Sequence, residues 1–461
     1  MDSFGNQELL YFNGINGFTG EYGLPPMSYE EFGEFIRNER PPQNLGDLKL
    51  RRQLIAKENL YTKEGVDPKK LSEAGWGIIF AHDGDPKIKE ALTPLLDLRS
   101  QQAGQYFKIY DGNDGYRPNE TKTRFLARHG GGPGPADPEK VPYYLLIVGT
   151  PEAIPYQFQY LLDVQYAVGR ISFDTVQEYE NYAKSVVAAE TNGIRGPERC
   201  CFFGTSNQDD RATNFSATHL VQPLYKEFSG NNPTWESESF IGTRATKTKL
   251  KELLGGKQAP ALLFTATHGM GFPKEHSLQA SHQGALLCQN WPGPKKWQQP
   301  IPQDFYFSED DVISDANMLG LIMFCFACYS AGTPLYNDFD RNQNEPIASS
   351  PFIAGLPKKI LGNTSAALAF VGHIERAWSY SFLWPGVGEH TIVFQDVLKR
   401  LIDGHPIGSA MEPINQRYAE LATVTDYLNS EDIDDNIGVW TAKNDSRNYI
   451  IIGDPAVRVS S

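Results

Sequence analysis

Strands alternating with helices along most of the chain predict an α/β fold on mostly parallel sheet, with helices covering both faces. Three observations carry this. Short continuous apolar runs, among them Trp76–Ala81, Tyr143–Gly149, Ala261–Thr267 and Leu321–Ala327, close on Gly or small residues, as strands buried on both faces do. Segments of helical spacing lie between the runs. The theme occurs twice, on either side of the breaker-rich stretch Thr191–Glu198. Two α/β subdomains are therefore expected, residues 71–195 and 196–461, behind an N-terminal extension of residues 1–70.

Within that extension Leu9–Phe12 reads as a short strand and Asn13–Gly17 as turn chemistry. Ser28-Tyr-Glu-Glu31 has the spacing of a capping box opening a helix to Arg37, and residues 46–61 form a second helical candidate. No chemistry is legible there, and the segment reads as a tether or regulatory extension. The first subdomain offers strands at Trp76–Ala81, Tyr106–Tyr110, Tyr143–Gly149 and Val164–Ile171, with helices near 86–101 and at Thr175–Glu190. Arg128–Pro142, rich in Gly and Pro, is a surface loop. The second offers strands at Cys200–Gly204, Ala261–Thr267, Leu321–Ala327, Ser365–Val371 and Tyr449–Ile452, and helices near 213–229, 244–255, 350–361, 389–403 and 407–428. Long segments at 270–318, 333–349 and 375–388 leave the sheet edge, where binding function usually lies.

A chain of 461 residues, 40% hydrophobic and 21% charged, can bury more than one core. Its formal net charge of −14 argues against a nucleic-acid partner, which would call for clustered Lys and Arg. Five cysteines in this length are not a disulfide framework. Neither a basic segment leading into an apolar one nor a window approaching the ~18 apolar residues of a membrane span is visible, so a soluble, cytoplasmic, reduced protein without a membrane partner is expected.

The chemistry concentrates at the ends of two strands. Ala261–Thr267 is followed at once by His268-Gly269, and Leu321–Ala327 by Cys328-Tyr-Ser-Ala-Gly332. Parallel sheets bind ligands beyond the carboxyl ends of their strands. A thiol of ordinary pKa near 8.5 is only a minor fraction thiolate at neutral pH, and a neighbouring imidazole can take its proton as it attacks a carbonyl. That imidazole then returns a proton to the leaving amine. Gly269 and the small residues after Cys328 let backbone N–H groups approach a developing oxyanion.

His-Gly after one strand and Ala-Cys after the next resembles the caspase-like superfamily of cysteine peptidases (clan CD), which includes caspases, gingipains, separases and CHAT domains. The nearest likeness is to the gingipain family, over roughly residues 75–461. It is carried in order by Tyr143–Gly149 with Ile154-Pro155, Asp163-x-x-Tyr-Ala-Val-Gly-Arg-Ile171, Glu178-x-x-Asn-Tyr182, Thr267-His-Gly269, Phe326-Ala-Cys328, Ala367–Val371 leading to Trp378, and Ile450–Ala456. The last piece is also similar to CHAT domains. The resemblance implies a caspase-like three-layer sandwich of two side-by-side subdomains, only the second catalytic. It implies a dyad of His268 and Cys328, an oxyanion hole from the Gly269 and Cys328 N–H groups, and Trp378 as a wall of the pocket before the scissile bond. In arginine-specific gingipains an acidic residue after the first strand of the catalytic subdomain holds the guanidinium. The loop Thr205–Arg211 offers Asp209 and Asp210 for that role, although the match also falls on Asn214, and both aspartates suit a helix cap. Gingipains carry signal and adhesin segments that are not seen in this sequence.

Other candidates are weaker. His129-Gly-Gly-Gly132 lacks the Gly-x-Ser-x-Gly elbow of an esterase, and His82-Asp-Gly-Asp85 has no cysteine partner and reads as a turn and cap. Asp338–Asn344 begins like a calcium loop but has Gln343 where Gly is needed and Ser349 where Glu is needed, so no cofactor is expected, with calcium a remote candidate. Cys325-x-x-Cys328 lacks a second ligand pair, His276, His282 and Cys288 lack tight spacing, and Glu431–Asp435 reads as an acidic turn. The function expected is a cysteine endopeptidase acting on protein substrates, with a preference for a basic residue and latency until a partner or ligand activates it as further expectations. A regulatory or scaffold protein of weak turnover is the rival.

Overall fold

The computed structural model describes residues 9–10, 14–23, 26–28, 31, 61–191, 198–256, 259–337, 339, 345–384, 386–427 and 433–459. The strands that matter for the site are β1 (Gly14–Asn16), β2 (Trp76–Phe80), β3 (Phe107–Tyr110), β4 (Tyr144–Val148), β5 (Ala167–Ile171), β6 (Arg199–Gly204), β7 (Glu236–Ile241) and β8 (Leu262–Ala266). They continue with β9 (Gly269–Gly271), β10 (Leu286–Leu287), β11 (Tyr306–Phe307), β12 (Ile322–Phe326), β13 (Ala369–His373) and β14 (Tyr449–Gly453).

Ten of these form one continuous sheet in the order β3-β2-β4-β5-β14-β13-β12-β8-β6-β7. Every pairing is parallel except β13 with β14. The two halves therefore run in opposite senses, and their carboxyl ends face opposite edges. β2, β4, β5, β8, β12, β13 and β14 are buried at every position, which explains their mainly apolar sequences, with Arg170, Thr265 and His373 as buried polar members. Phe264 and Phe324 stack across β8 and β12 with centroids 5.2 Å apart.

β14, the last strand in sequence, joins the halves at the sheet centre. Just beyond it Asp454 accepts from Arg99 Nε at 2.7 Å and from Trp76 Nε1 at 2.9 Å, while Arg99 also makes a bidentate pair with Glu190, both contacts 2.7 Å. These buried charges lie between helices Thr93–Ala103 and Val176–Thr191 and the closing strand. Among the described residues no helix is long and apolar enough to cross a membrane.

Several elements differ from the sequence reading. β7, Glu-Ser-Glu-Ser-Phe-Ile, has no apolar run because it is the sheet edge and is only partly covered. The strand expected at Ser365–Val371 begins at Ala369 and runs to His373, since the ladder with β12 starts at Ile322 opposite Ala369. Val164–Tyr166 turns off the end of helix Tyr156–Asp163, with the Gln165 and Tyr166 N–H groups both donating to Leu162 O. Asn13–Gly17, expected to be a turn, contains β1, which has β9 as its partner. Of the acidic turn expected at Glu431–Asp435, the first two residues lie outside the described residues and the rest open a helix, Ile433–Arg447; farther along, its Trp440 and Ala442 pack into a cluster with Phe339 and Trp378. The helices at 46–61 and beyond Glu31 and the candidate calcium loop lie largely outside the described residues.

Candidate active site

β8 and β12 pair in register from Leu262 opposite Ile322 to Ala266 opposite Phe326. Thr267 N extends the ladder by donating to Phe326 O at 3.2 Å. His268 and Cys328 each lie two residues beyond the last paired position, so neighbouring strands deliver them at one level of one edge. Gly269 is pressed against Cys328: a Cβ there would fall 1.8 Å from Cys328 O and 2.9 Å from Cys328 N. Only a glycine admits this approach.

His268 is fully buried. Its Nε2 donates to Asp210 Oδ2 at 2.8 Å, and its Nδ1 has no hydrogen-bond partner among the described residues. Asp210 is equally buried and caps helix Arg211–Ser216. Its Oδ1 accepts from Ala212 N at 3.2 Å and Tyr22 OH at 2.5 Å, and its Oδ2 also accepts from Thr213 Oγ1 at 2.5 Å. Burial alone would raise this carboxyl's pKa, but His268, Thr213 and Tyr22 outweigh it and hold the group below the ordinary 3.8. An ionised carboxylate only accepts, so the proton shared with His268 sits on Nε2 and leaves Nδ1 as the basic nitrogen.

The Cys328 thiol is buried and accepts from Ala377 N at 3.1 Å. Burial pushes its pKa up to about 12, although the Ala377 N–H and the Arg376 guanidinium both favour the thiolate. Arg376 is itself paired with Glu375 at 3.2 Å, bonded to Asn337 Oδ1 at 3.0 Å and packed on the Tyr329 ring. Tyr329, directly after the cysteine, has φ of 58°, a left-handed conformation that a non-glycine residue adopts at a cost of roughly 1–3 kcal/mol. The surrounding contacts hold that corner, since Gly284 (φ 77°) passes so close that a Cβ would lie 2.0 Å from Tyr329 O.

Of the other expected site residues, Trp378 is buried directly after Ala377, its backbone N–H donating to Asp445 Oδ1 at 2.9 Å and its ring 5.2 Å from Phe339. Asp209 is half-buried, accepts from Lys295 N at 3.3 Å, and lines a cavity of about 570 Å³ with Glu21, Tyr22, Arg211 and Lys295. Asp210, expected beside it as a substrate contact, has no exposed surface, and both its oxygens are taken by the chain's own donors. Asn214 bonds to Ser206 and Asn207. His82 lies at the opposite edge of the sheet with Nδ1 2.7 Å from Gly112 O, and Asp85 caps helix Pro86–Ala91. His282 bridges Tyr306 and Asp310, and no group of three or more metal-ligating side chains occurs among the described residues.

The profile of peptidase family C25 matches residues 77–460. The chain belongs to peptidase family C25, the gingipain family of clan CD. It is a cysteine peptidase. Solved structures similar to this C25 chain include the "Arg specific cysteine proteinase gingipain R (RGPB)", at 13% identity and TM-score 0.49, with 84% of this chain and 78% of that one covered. A second, described as a protease, matches at 12% identity and TM-score 0.48, with 88% and 80% covered. The complex of Porphyromonas gingivalis RgpB pro- and mature domains matches at 12% identity and TM-score 0.48, with 84% and 80% covered. No curated protein matches the chain.

Three features of this C25 site were not read from the sequence: the Asp210–His268 bond, the Ala377 N–H on the thiol, and Tyr22 on Asp210. Only Asp210 left a signal, as an acidic residue ahead of a helix, and it was read as a substrate contact or a helix cap, not as a partner of His268.

Proposed function

We propose that this C25 peptidase cleaves protein substrates through a Cys328–His268 dyad in which Asp210 orients the imidazole. The observation that carries the reading is the emergence of both residues at one level on adjacent strands, with Gly269 against the Cys328 main chain. The resting nucleophile is a neutral thiol, in keeping with its raised pKa. As sulfur attacks the substrate carbonyl carbon, the thiol proton passes to His268 Nδ1 and the carbonyl π electrons move to oxygen. The Gly269 and Cys328 N–H groups are the proposed oxyanion donors, each worth about 3 kcal/mol in the transition state. Collapse breaks the C–N bond, and the imidazolium returns its proton to the departing amine. Water then adds to the thioester, giving its proton to His268, and the released thiolate recovers it.

Trp378, one residue beyond the thiol's N–H donor, is proposed as a wall of the pocket for the residue before the scissile bond. A basic preference would rest on Asp209, which faces a cavity, and not on the enclosed Asp210. The buried thiol supports latency: a partner or ligand that favours a form with the thiol open to substrate would activate the enzyme. Screening a peptide library with and without candidate partner proteins tests the reading. Cleavage that disappears in Cys328→Ala is expected; equal cleavage by both proteins would remove Cys328 as nucleophile.

A further inference from the structure

The family match begins at residue 77, yet a segment far upstream of it reaches the candidate site. β1 adds to the sheet of β9, β10 and β11, running parallel to β9, with Gly14 opposite Gly269 and Ile15 opposite Met270. It thus pairs with the strand that follows His268 without a gap. The chain then folds back, and Tyr22 bridges antiparallel to Ile15. This places the Tyr22 hydroxyl 2.5 Å from Asp210 Oδ1 and its ring edge-on to His268, with centroids 5.8 Å apart.

Is this segment a cover to be removed, or part of the site? Its packing favours the second. Ile15 is fully buried in a core with Met270, Phe272, Trp291 and Ile301, all from the catalytic half. Gly17 donates its N–H to Gly271 O at 2.7 Å and accepts from Ile301 N at 3.0 Å. Added Cβ atoms would fall 2.6 Å from the Phe272 ring at Gly17 and 2.5 Å from Gln299 O at Gly20. Removing the segment would expose that core beside His268 and take one of four donors from the Asp210 carboxylate.

We propose that Tyr22 is a positioning residue of the peptidase site, acting on His268 through Asp210, and that residues 14–23 are a permanent part of the catalytic half. The proposal rests on the dyad reading above. By donating to Oδ1, Tyr22 fixes the carboxylate plane and draws charge from it. That sets how strongly Oδ2 holds the imidazole proton, and hence how basic Nδ1 is.

The test is Tyr22→Phe in the full chain, which keeps the ring and removes only the hydroxyl. On a peptide that the wild type cleaves and Cys328→Ala does not, kcat should fall about tenfold with KM little changed, as for a lost hydrogen bond to a charged group. The acid limb of the kcat/KM pH profile should move with it. A second reading does not need turnover: the downfield proton resonance of His268 Nε2–H, assigned by its loss in His268→Gln, should shift in Tyr22→Phe. If the wild type shows no Cys328-dependent cleavage the dyad reading fails, and the resonance alone still decides the coupling. A resonance and a limb that both stay put would reduce the hydroxyl to packing and overturn the proposal. A rise in activity would overturn it too, by making the segment a cover.

Discussion

Asp210→Asn separates what the carboxylate does for folding from what it does for His268. In the wild type each oxygen accepts two hydrogen bonds, Oδ1 from Tyr22 and Ala212 and Oδ2 from Thr213 and His268. An amide keeps one oxygen and turns two hydrogens on the donors that faced the other. With the amide nitrogen toward His268, the imidazole can adapt by moving its own proton to Nδ1 and accepting at Nε2, and Thr213 can rotate its hydroxyl to accept. The net structural loss is then about one charged hydrogen bond, about 1.5–3 kcal/mol. The chemical loss is larger, because Nδ1 now carries a proton and cannot take another from the thiol. Holding a catalytic imidazole in the wrong tautomer costs on the order of 10⁴ in kcat in the serine-protease triad, and a fall of at least about 10³ is expected here. Urea unfolding and steady-state cleavage of one library-derived peptide, run on the same preparation, measure the two effects. A folded Asp210→Asn enzyme within about threefold of wild-type kcat would refute the proposed role of the carboxylate.

Other expectations follow from particular contacts. Gly269→Ala drives a Cβ into the Cys328 carbonyl, so the strand ends must separate; a stability loss of about 1–3 kcal/mol in urea should accompany loss of cleavage even where the protein stays folded. Asp454→Ala strips a partner from the buried Arg99 guanidinium and from Trp76 Nε1, and should cost about 3–5 kcal/mol by chemical denaturation while leaving the site residues untouched. Burial pushes the thiols of Cys201 and Cys325 up to about 12 from the ordinary 9.0. Above pH 9 the unfolded chain therefore sheds protons that the folded chain keeps. Stability is at its fullest below pH 9 and falls as pH rises towards 12, by up to about 1.4 kcal/mol per pH unit for each thiol. Denaturation followed from pH 8 to 11 checks the sign, and flat or rising stability would contradict it.

How much of this was legible in the sequence depends on how local each feature is. β8 and β12 lie inside the second half of the sheet with neighbours on either side and are buried at every position, so their runs are almost wholly apolar and their ends point directly at His268 and Cys328. β7 escaped notice because an edge strand with one neighbour needs no apolar run. Helix Ile433–Arg447 starts in acidic sequence, and burial of its Trp440, a tertiary effect, helps hold it. The partners of His268 were hidden for a related reason: Asp210 is 58 residues from it, and Tyr22 is 188 residues from Asp210. No spacing rule joins residues so far apart, and Gly14–Asn16 reads as a turn until β9 is there to pair with it.

The central claim is that the Cys328 sulfur is the nucleophile and that His268 takes its proton. Mapping by mass spectrometry the adduct of a peptidyl acyloxymethyl ketone, in wild type, His268→Gln and Cys328→Ala proteins and with candidate activating partners present, tests it most directly. The account predicts a single adduct on Cys328 in the wild type, formed far more slowly in His268→Gln and absent in Cys328→Ala. An adduct on Cys200, Cys201, Cys288 or Cys325 instead, or labelling of Cys328 at an undiminished rate without His268, would contradict it.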